Sequence, residues 1–326
     1  MRFIILGMGA VGSLWAYQLY NHGHSVYGLC RGKHYRKIKS DGLKIKDING
    51  KDNIVEIGAN FDVFSGHKEA GPFFEQLTAQ DCIMITSKAY SLNQIAEQYS
   101  NQILRHGSVL LLQNGIGNEE IVKEYCPESD IYRATTTYGA LLEAPGSVAS
   151  TGRGFTKIGF PKINRSYGSK IDEEKTDKIK KIANVFSKAD LKTEYTDDID
   201  LVLWEKIFVN IGINALGTIH NICNGQLIED DSIREMMKTA IAEAWNVAKS
   251  KNIDVKPSAD PYINLTFNVA RKTAANRNSM LQDISNGKPT EIDFINGKII
   301  GYAEEEGVEV LVNKALTEKI KDLEKA

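Results

Sequence analysis

Short apolar runs alternate with helical patterns through residues 1–195. Runs typical of buried strands occupy residues 3–6, 25–30, 81–86 and 107–112, and helix-period stretches occupy residues 10–20, 31–40 and 92–104. Strands that alternate with helices are typical of a doubly wound, mostly parallel sheet. The pattern therefore predicts an α/β fold for this part of the chain.

The hydrophobic pattern changes along the rest of the chain. Further strands are predicted at residues 131–142, 147–150, 155–159 and 191–195, a helix at 170–186, and an Asn49-Gly50 hairpin within 43–57. Beyond residue 196 only helical patterns remain, at residues 197–216, 231–251, 261–273 and 292–306, with a solvated final helix at 313–326. A chain of 326 residues exceeds most single cores. We therefore expect an α/β domain at residues 1–196 and an all-α domain at 197–326.

Composition excludes several classes of protein. The net charge of −2 gives no basic excess for binding nucleic acid. The four cysteines are far apart and form no C-x-x-C pair, so neither a metal site nor a disulfide framework is predicted. No apolar run approaches the ~20 residues of a membrane span, and the apolar stretch at the start is too short for a signal peptide. We expect a cytoplasmic protein that contacts no membrane.

A G-x-G-x-x-G motif separates the first predicted strand from the first predicted helix, at Gly7, Met8, Gly9, Ala10, Val11 and Gly12. In such a loop the first glycine permits a tight turn, the second lets a pyrophosphate approach the backbone, and the third lets helix and strand pack closely. The N–H groups at the helix N-terminus then bind phosphate. The motif predicts that residues 1–196 form a Rossmann dinucleotide-binding domain.

The end of the second predicted strand indicates which dinucleotide binds. An NAD site carries Asp or Glu about 20 residues beyond the loop, where it binds the ribose hydroxyls. This chain has Arg31 there, followed by Lys33. A guanidinium forms planar, bidentate hydrogen bonds with a phosphate. The missing acid and the arginine together predict NADPH as the cofactor.

A row of polar side chains crosses the predicted helix at residues 197–216. Lys206, Asn210 and Asn214 are spaced by four residues and therefore share one face. Most neighbouring positions are apolar, so the helix should be largely buried. Polar side chains there need partners or a solvated cleft, because burying them unpaired is costly. The row fits either a catalytic site or a structural network of ion pairs and hydrogen bonds.

The full set of motifs resembles the ketopantoate reductase family. It comprises residues 7–12, Arg31, Lys88, Gln113-Asn114-Gly115, Trp204-Glu205-Lys206 with Asn210 and Asn214, Asn224-Gly225, Ser279-Met280-Leu281-Gln282-Asp283 and Thr290-Glu291-Ile292-Asp293. These motifs follow the family's order at similar spacings along nearly the whole chain. The resemblance implies a Rossmann domain, a helical domain, a cleft active site, and reduction of 2-dehydropantoate to (R)-pantoate with NADPH, in the route to pantothenate and coenzyme A.

The resemblance also implies roles for individual residues. Lys206 matches the catalytic lysine that protonates the ketone oxygen, and Glu291 the acid that holds the substrate's terminal hydroxyl. The substrate-binding positions are Asn210, Asn214, Asn224, Asn276 and Ser279, and the cofactor contacts include Lys88 and Asn114. Taken singly, four of these residues have a structural explanation: Glu291 as a helix start, Ser279 as an N-cap, Lys88 as a solvated charge, and Asn114 in a turn.

Three alternatives to this function stay open. Residues 217–221 and 257–264 depart from the family pattern, which leaves another branched 2-oxo acid open as the substrate. A sensor that binds NADP(H) without turnover would need the cofactor loop but no proton donor. A sugar-phosphate or glycerol-phosphate dehydrogenase would need more basic residues than Arg271, Lys272 and Arg277. The expected partner is a small 2-oxo acid, and a homodimer is the assembly to test.

Overall fold

The computed structural model describes residues 1–164 and 173–325, which form two compact units. The first unit comprises Met1–Gln113 and Asn118–Ile199, and the second comprises Asn114–Gly117 and the chain from Asp200 onward. The sequence predicts a boundary between residues 196 and 197, three residues earlier than the observed one. It does not predict that the four residues after Gln113, Asn114–Gly117, fold with the second unit. The start of the predicted helix at 170–186, residues 170–172, lies outside the described residues.

The first unit combines strands and helices in the predicted alternation. Its strands are β1 (Arg2–Leu6), β2 (Ser25–Leu29), β3 (Leu43–Lys46), β4 (Asp52–Val55), β5 (Phe61–Phe64), β6 (Cys82–Ile85), β7 (Ser108–Leu111), β8 (Asp130–Thr136), β9 (Gly139–Ala144), β10 (Ser147–Gly152), β11 (Thr156–Gly159) and β12 (Thr193–Tyr195). Its helices are α1 (Ala10–Asn21), α2 (Gly32–Asp41), α3 (His67–Glu75), α4 (Leu92–His106), α5 (Asn118–Tyr125) and α6 (Glu173–Lys188).

Eight of these strands form one sheet in the order β12-β11-β8-β7-β6-β1-β2-β5. Six neighbouring strands of this sheet are parallel to one another: β8, β7, β6, β1, β2 and β5. Strand β11 runs antiparallel to β8, and β12 is parallel to β11. The side chains of β1 alternate between the two faces: Phe3 and Ile5 belong to one core cluster, and Ile4 and Leu6 to the other. Each fully buried side chain of this size stabilises the fold by about 1.5–3 kcal/mol. The predicted α/β class is confirmed.

A second, smaller sheet has the order β4-β3-β10-β9. The predicted Asn49-Gly50 hairpin is confirmed, because β3 and β4 pair antiparallel with Leu43 opposite Val55. The continuous strand predicted at residues 131–142 is wrong: β8 lies in the large sheet and β9 in the small one. Tyr138, between them, packs edge-on against Trp15 of α1 at 5.5 Å between ring centroids. The chain therefore changes sheets over α1, a contact that hydrophobic periodicity cannot reveal.

The second unit is helical, as predicted. Its helices are α7 (Ile199–Ile219), α8 (Asp231–Ser250), α9 (Asp260–Lys272), α10 (Ser279–Ser285), α11 (Asn296–Glu306) and α12 (Leu311–Lys325), with 3-10 turns at Asn224–Ile228 and Ile292–Phe294. The helix predicted over residues 292–306 is interrupted, because Ile295 has a non-helical backbone (φ −112°, ψ −94°). The final helix is amphipathic rather than wholly solvated, since Leu316 and Ile320 are buried. Among the described residues, none of the helices has the length and apolar character needed to cross a bilayer.

Candidate active site

The glycine motif forms the turn between β1 and α1. Gly7 has φ +125°, and a Cβ there would collide with the backbone nitrogen of Ser87, so both the conformation and the space require glycine. The space above Gly9 is open to 4 Å, and the first turn of α1 carries no acidic residue. Open backbone at a helix N-terminus without negative charge suits a phosphate. The loop therefore fits the pyrophosphate of a dinucleotide.

The same turn is braced from the neighbouring strand. The hydroxyl of Thr86, just after β6, donates a hydrogen bond to the Gly7 carbonyl oxygen at 2.6 Å. A Cβ on Gly12 would overlap that carbonyl and lie 2.6 Å from the Thr86 hydroxyl. The Met8 amide donates to the Leu29 carbonyl of β2 at 2.7 Å. The turn is thus tied to the strands on both sides of β1, which holds the backbone of the glycine motif in place.

Arg31 follows β2 and occupies the N-cap position of α2. Its two terminal nitrogens donate to Gln94 Oε1 at 3.2 Å and to Gln98 Oε1 at 3.3 Å. These two glutamines of α4 were not among the predicted site residues, although their i, i+4 spacing places them on one helix face. A guanidinium has five N–H donors, so two such contacts leave others for a phosphate. The pair orients the guanidinium at the end of β2.

Two other residues lie at the carboxyl ends of neighbouring parallel strands. Lys88, two residues beyond Thr86, is half-buried and precedes a 3-10 turn at Ala89–Ser91. Gln113 follows β7 and is buried, and its side-chain amide donates to the Ser87 carbonyl at 2.8 Å and to the Ser87 hydroxyl at 3.2 Å. Ligands of open α/β sheets bind beyond the carboxyl ends of the strands. Lys88 therefore lies at the edge where its predicted cofactor contact requires it.

Asn114 and Glu291 meet in the second unit. The side-chain amide of Asn114 donates to Glu291 Oε2 at 3.3 Å. The Ile116 amide donates to the Phe294 carbonyl at 3.2 Å, and Gly115, at φ +89°, has no room for a Cβ because Phe294 O would lie 2.7 Å away. Glu291 is 6% exposed and precedes the 3-10 turn without capping it through its side chain. A residue expected near the cofactor is thus hydrogen-bonded to one expected to hold the substrate.

The predicted polar row lies on α7. Lys206 and Asn210 are half-buried and Asn214 is buried, while most of the remaining surface of the helix is apolar and buried. Trp204, on the same helix, stacks on Tyr302 of α11 with 6.2 Å between ring centroids. The structure therefore confirms one buried helix carrying all three polar residues. Their chemical roles stay predictions.

The remaining predicted substrate residues lie around the start of α10. The Asn224 amide donates to the Asn276 carbonyl at 3.0 Å, and the Asn224 side chain donates to Thr273 Oγ1 at 2.9 Å. The N-cap of α10 is Asn278, whose side chain accepts from Leu281 N at 2.9 Å, so Ser279 is not the cap. Ser279 is the first helical residue and is exposed, as is Asn276.

Asn214 is connected to this group through Thr218. The Thr218 hydroxyl donates to the Asn214 carbonyl at 2.7 Å and lies 3.4 Å from Asn278 Oδ1. The last turns of α7 and the start of α10 are therefore adjacent. All four cysteines are free thiols, and within the described ranges no cluster of His, Cys, Asp and Glu is arranged to hold a metal ion.

Comparison with known proteins gives full-length matches. Residues 3–162 match the family described as Ketopantoate reductase PanE/ApbA, and residues 198–324 match its C-terminal counterpart. The 2-dehydropantoate 2-reductase of Pyrococcus abyssi is 36% identical over 325 residues, covering 99% of this chain and 98% of that protein. The 2-dehydropantoate 2-reductase of Vibrio cholerae is 30% identical, covering 100% of this chain and 99% of that protein.

A solved structure extends the comparison. A D-mandelate dehydrogenase in a ternary complex with NADH and anilino(oxo)acetate superposes with a TM-score of 0.83 at 27% identity, covering 100% of this chain and 99% of that one. The whole-chain superposition agrees with the predicted order of a Rossmann unit and a helical unit. The two family matches together cover most of the chain, and the predicted resemblance is confirmed. The chain therefore belongs to the ketopantoate reductase family.

Proposed function

We propose that the protein reduces 2-dehydropantoate to (R)-pantoate with NADPH, a step in the synthesis of pantothenate and coenzyme A. Curated 2-dehydropantoate 2-reductases match it from end to end, at up to 36% identity. The observation that carries the proposal is the Asn114–Glu291 hydrogen bond of 3.3 Å. It joins the loop after β7 to the acid assigned to the substrate, in the same unit as Lys206.

In this proposal Lys206 is the proton donor. When hydride reaches the ketone carbon, negative charge develops on the ketone oxygen, and a nearby ammonium both stabilises and protonates it. Glu291 accepts a hydrogen bond from the substrate's terminal hydroxyl and is itself oriented by Asn114. The substrate is further held by Asn210, Asn214, Asn224, Asn276 and Ser279. We assign these roles to the helical domain, residues 197–326.

The cofactor is assigned to residues 1–196. NADPH supplies the hydride when bound. The chain's own contribution is the open, uncharged backbone over Gly9 for the pyrophosphate and the oriented guanidinium of Arg31 for the 2′-phosphate. Lys88 adds a positive charge at the carboxyl edge of the sheet.

The deciding experiment measures NADPH oxidation by the purified protein with ketopantoate, with ketoisovalerate as an alternative substrate and NADH as an alternative cofactor. We expect turnover with ketopantoate and NADPH to exceed the other combinations. A clear preference for ketoisovalerate would show that the substrate is another branched 2-oxo acid and not ketopantoate. Cofactor binding without any substrate-dependent oxidation would support a sensor instead.

A second candidate is a dehydrogenase of another 2-hydroxy acid. It is favoured by the similarity to the NADH-bound D-mandelate dehydrogenase, which superposes over the whole chain. Arg31 and the absence of an acid at the end of β2 argue for NADPH over NADH. Oxidation of D-mandelate with NAD, faster than any reduction of ketopantoate with NADPH, would establish this second candidate.

The proposal also covers location and assembly. We place the enzyme in the cytoplasm, where the small-molecule substrate and NADPH are available, and we propose a homodimer. Sedimentation equilibrium tests the assembly, because one chain has a mass of 36.2 kDa. A single species of that mass at micromolar concentration would exclude the dimer.

A further inference from the structure

The carboxylate of Glu324 binds the backbone immediately before Glu291. Glu324 lies in the last turn of α12, and its Oε1 accepts hydrogen bonds from the Thr290 amide and the Thr290 hydroxyl, each at 2.7 Å. The Thr290 hydroxyl oxygen in turn accepts from the Ile292 amide at 3.2 Å. One carboxylate and one hydroxyl therefore fix the backbone on both sides of Glu291.

The hydrogen bonds that link Glu324, Thr290 and Ile292 are shielded from solvent and lie beside charged groups. Thr290 is 4% exposed and the Glu324 side chain 15% exposed. Burial favours the neutral acid, but the Thr290 hydrogen bonds and the Lys321 charge outweigh it and lower the pKa of Glu324. Lys321 Nζ lies 3.4 Å from Glu324 Oε2 and also pairs with Asp293. Glu324 is therefore an ionised acceptor at neutral pH, and hydrogen bonds to ionised groups are stronger than neutral ones.

Helix α12 is itself held at its other end. The Val312 and Asn313 amides, in its first turn, donate to the two carboxylate oxygens of Glu243 in α8, at 2.9 and 3.0 Å. The Asn313 side chain also donates to the Ala240 carbonyl at 3.0 Å. The helix thus connects a fixed point on α8 with the turn that carries Glu291.

We propose that Glu324, acting through Thr290, is a positioning residue for the Glu291 carboxylate and so for recognition of the substrate's terminal hydroxyl. The inference rests on the proposed function, in which Glu291 holds that hydroxyl. Displacing a positioned group by about 1 Å costs roughly 10²-fold in rate. The C-terminal helix therefore contributes to substrate discrimination without touching the substrate.

The test compares ketopantoate with 3,3-dimethyl-2-oxobutanoate, which differs only in lacking the terminal hydroxyl. We expect the ratio of kcat/KM for the two substrates to fall by about tenfold or more in Glu291→Ala, Glu324→Ala and Thr290→Val. Thr290→Ser, which keeps the hydroxyl, should retain the ratio. The matched control is Asp322→Asn on the same helix, because the Asp322 side chain is 77% exposed. A merely structural role would lower the folded fraction and leave the ratio unchanged.

The outcomes separate this inference from the proposed function. An unchanged ratio in Thr290→Val and Glu324→Ala, with a fall in Glu291→Ala, overturns the positioning role alone. An unchanged ratio in Glu291→Ala overturns both the positioning role and the assignment of Glu291. If Glu324→Ala fails to fold, Thr290→Val decides, because it removes only the hydroxyl at nearly constant volume. In a Glu291→Ala background, Thr290→Val should cause no further fall.

Discussion

At the residue scale, the proposed reaction relies on one ammonium group, that of Lys206 on the largely apolar helix α7. Replacing Lys206 by Ala should lower kcat by about 10²–10⁴-fold, the range typical of a general acid. The affinity for NADPH should stay near the wild-type value, because the residues assigned to the dinucleotide, apart from Asn114, belong to the other unit. Stopped-flow measurement of NADPH oxidation, with a fluorescence titration of NADPH binding, measures both quantities.

The matched control for this variant is Lys238→Ala. Lys238 is a surface residue of α8 that pairs with Glu235 at 2.6 Å, so its loss should leave kcat unchanged. A Lys206→Ala protein with wild-type turnover would assign the proton donor to another group, whereas a fall in NADPH affinity equal to the fall in kcat would indicate general misfolding.

The candidate functional residues could be predicted where a single side chain suffices for the chemistry. The residues that orient those side chains could not. Arg31 follows from the missing acid at the end of the second strand, but Gln94 and Gln98, which orient it, come from a helix more than sixty residues away. Glu291 follows from a motif, whereas Glu324, bound to the preceding residue, belongs to a helix expected to be merely solvated. Sequence patterns report what a residue is capable of, while its orientation depends on contacts between distant segments.

At the element scale, the loop at residues 114–117 depends on Gly115. Replacing Gly115 by Ala should destabilise the second unit by ~1–3 kcal/mol, because φ +89° strains any L side chain and Phe294 O leaves no room for a Cβ. The same change should raise the KM for ketopantoate, since it would displace Asn114 from its hydrogen bond to Glu291. Thermal melting and steady-state kinetics measure the two effects.

Gly301 supplies the control for this substitution. It lies inside α11, and a Cβ there would meet no atom within 4 Å. Gly301→Ala should therefore stabilise the helix, by about 0.5–1 kcal/mol, and leave KM unchanged. If Gly115→Ala and Gly301→Ala have the same melting temperature, the close approach of Gly115 to Phe294 does not restrict this position to glycine.

A histidine at the end of α4 should make the first unit sensitive to acid. Burial, aided by the charge of Lys178, lowers the pKa of His106 to about 4, and its ring Nε2 donates to the Asp81 carbonyl at 3.2 Å. An unfolded histidine titrates near pH 6.5. Between these values the unfolded chain binds a proton that the folded chain does not, so stability is complete above pH 6.5 and falls as the pH drops toward 4.

Replacing His106 by Gln, which keeps a donor for Asp81, should flatten this dependence. Allowing for partial exposure, we expect the urea-unfolding free energy to lose ~1 kcal/mol less between pH 7 and pH 5 than in the wild type. His220→Gln, at an exposed position, is the control and should leave the slope unchanged. An identical pH slope in the His106 variant and the wild type would contradict the prediction.

Elements with strong periodicity were predicted well and those fixed by distant contacts were not. Helices α4, α8 and α9 lie within two residues of their predicted bounds, because each has a continuous apolar stripe. The break at Ile295 and the division of residues 131–142 between two sheets were missed. Both features depend on where the chain packs after an element ends. The same apolar run is compatible with a continuous element and with one that is interrupted.

At the scale of the whole molecule, the sequence predicts the order of the two units along the chain. It does not predict which residues belong to each unit. The switch from strand to helix patterns places the boundary within a few residues of Ile199. The segment Asn114–Gly117 nevertheless belongs to the second unit, because Ile116 and Asn114 bond to Phe294 and Glu291. The chain therefore passes between the units three times, and two of these crossings lie within residues 1–196, whose pattern of strands and helices predicts a single α/β domain.

Cofactor binding should stabilise the first unit selectively. A ligand at one hundred times its Kd, bound only to the folded state, adds about 2.7 kcal/mol to the free energy of unfolding. NADPH should therefore raise the melting temperature more than NADH at equal concentration, because only NADPH carries the phosphate assigned to Arg31. In Arg31→Ala the two cofactors should give the same shift, while Lys33→Ala, beside it on the exposed start of α2, should keep most of the difference. Larger stabilisation by NADH in the wild type would reverse the cofactor assignment, since Arg31 would then contribute nothing that distinguishes the two dinucleotides.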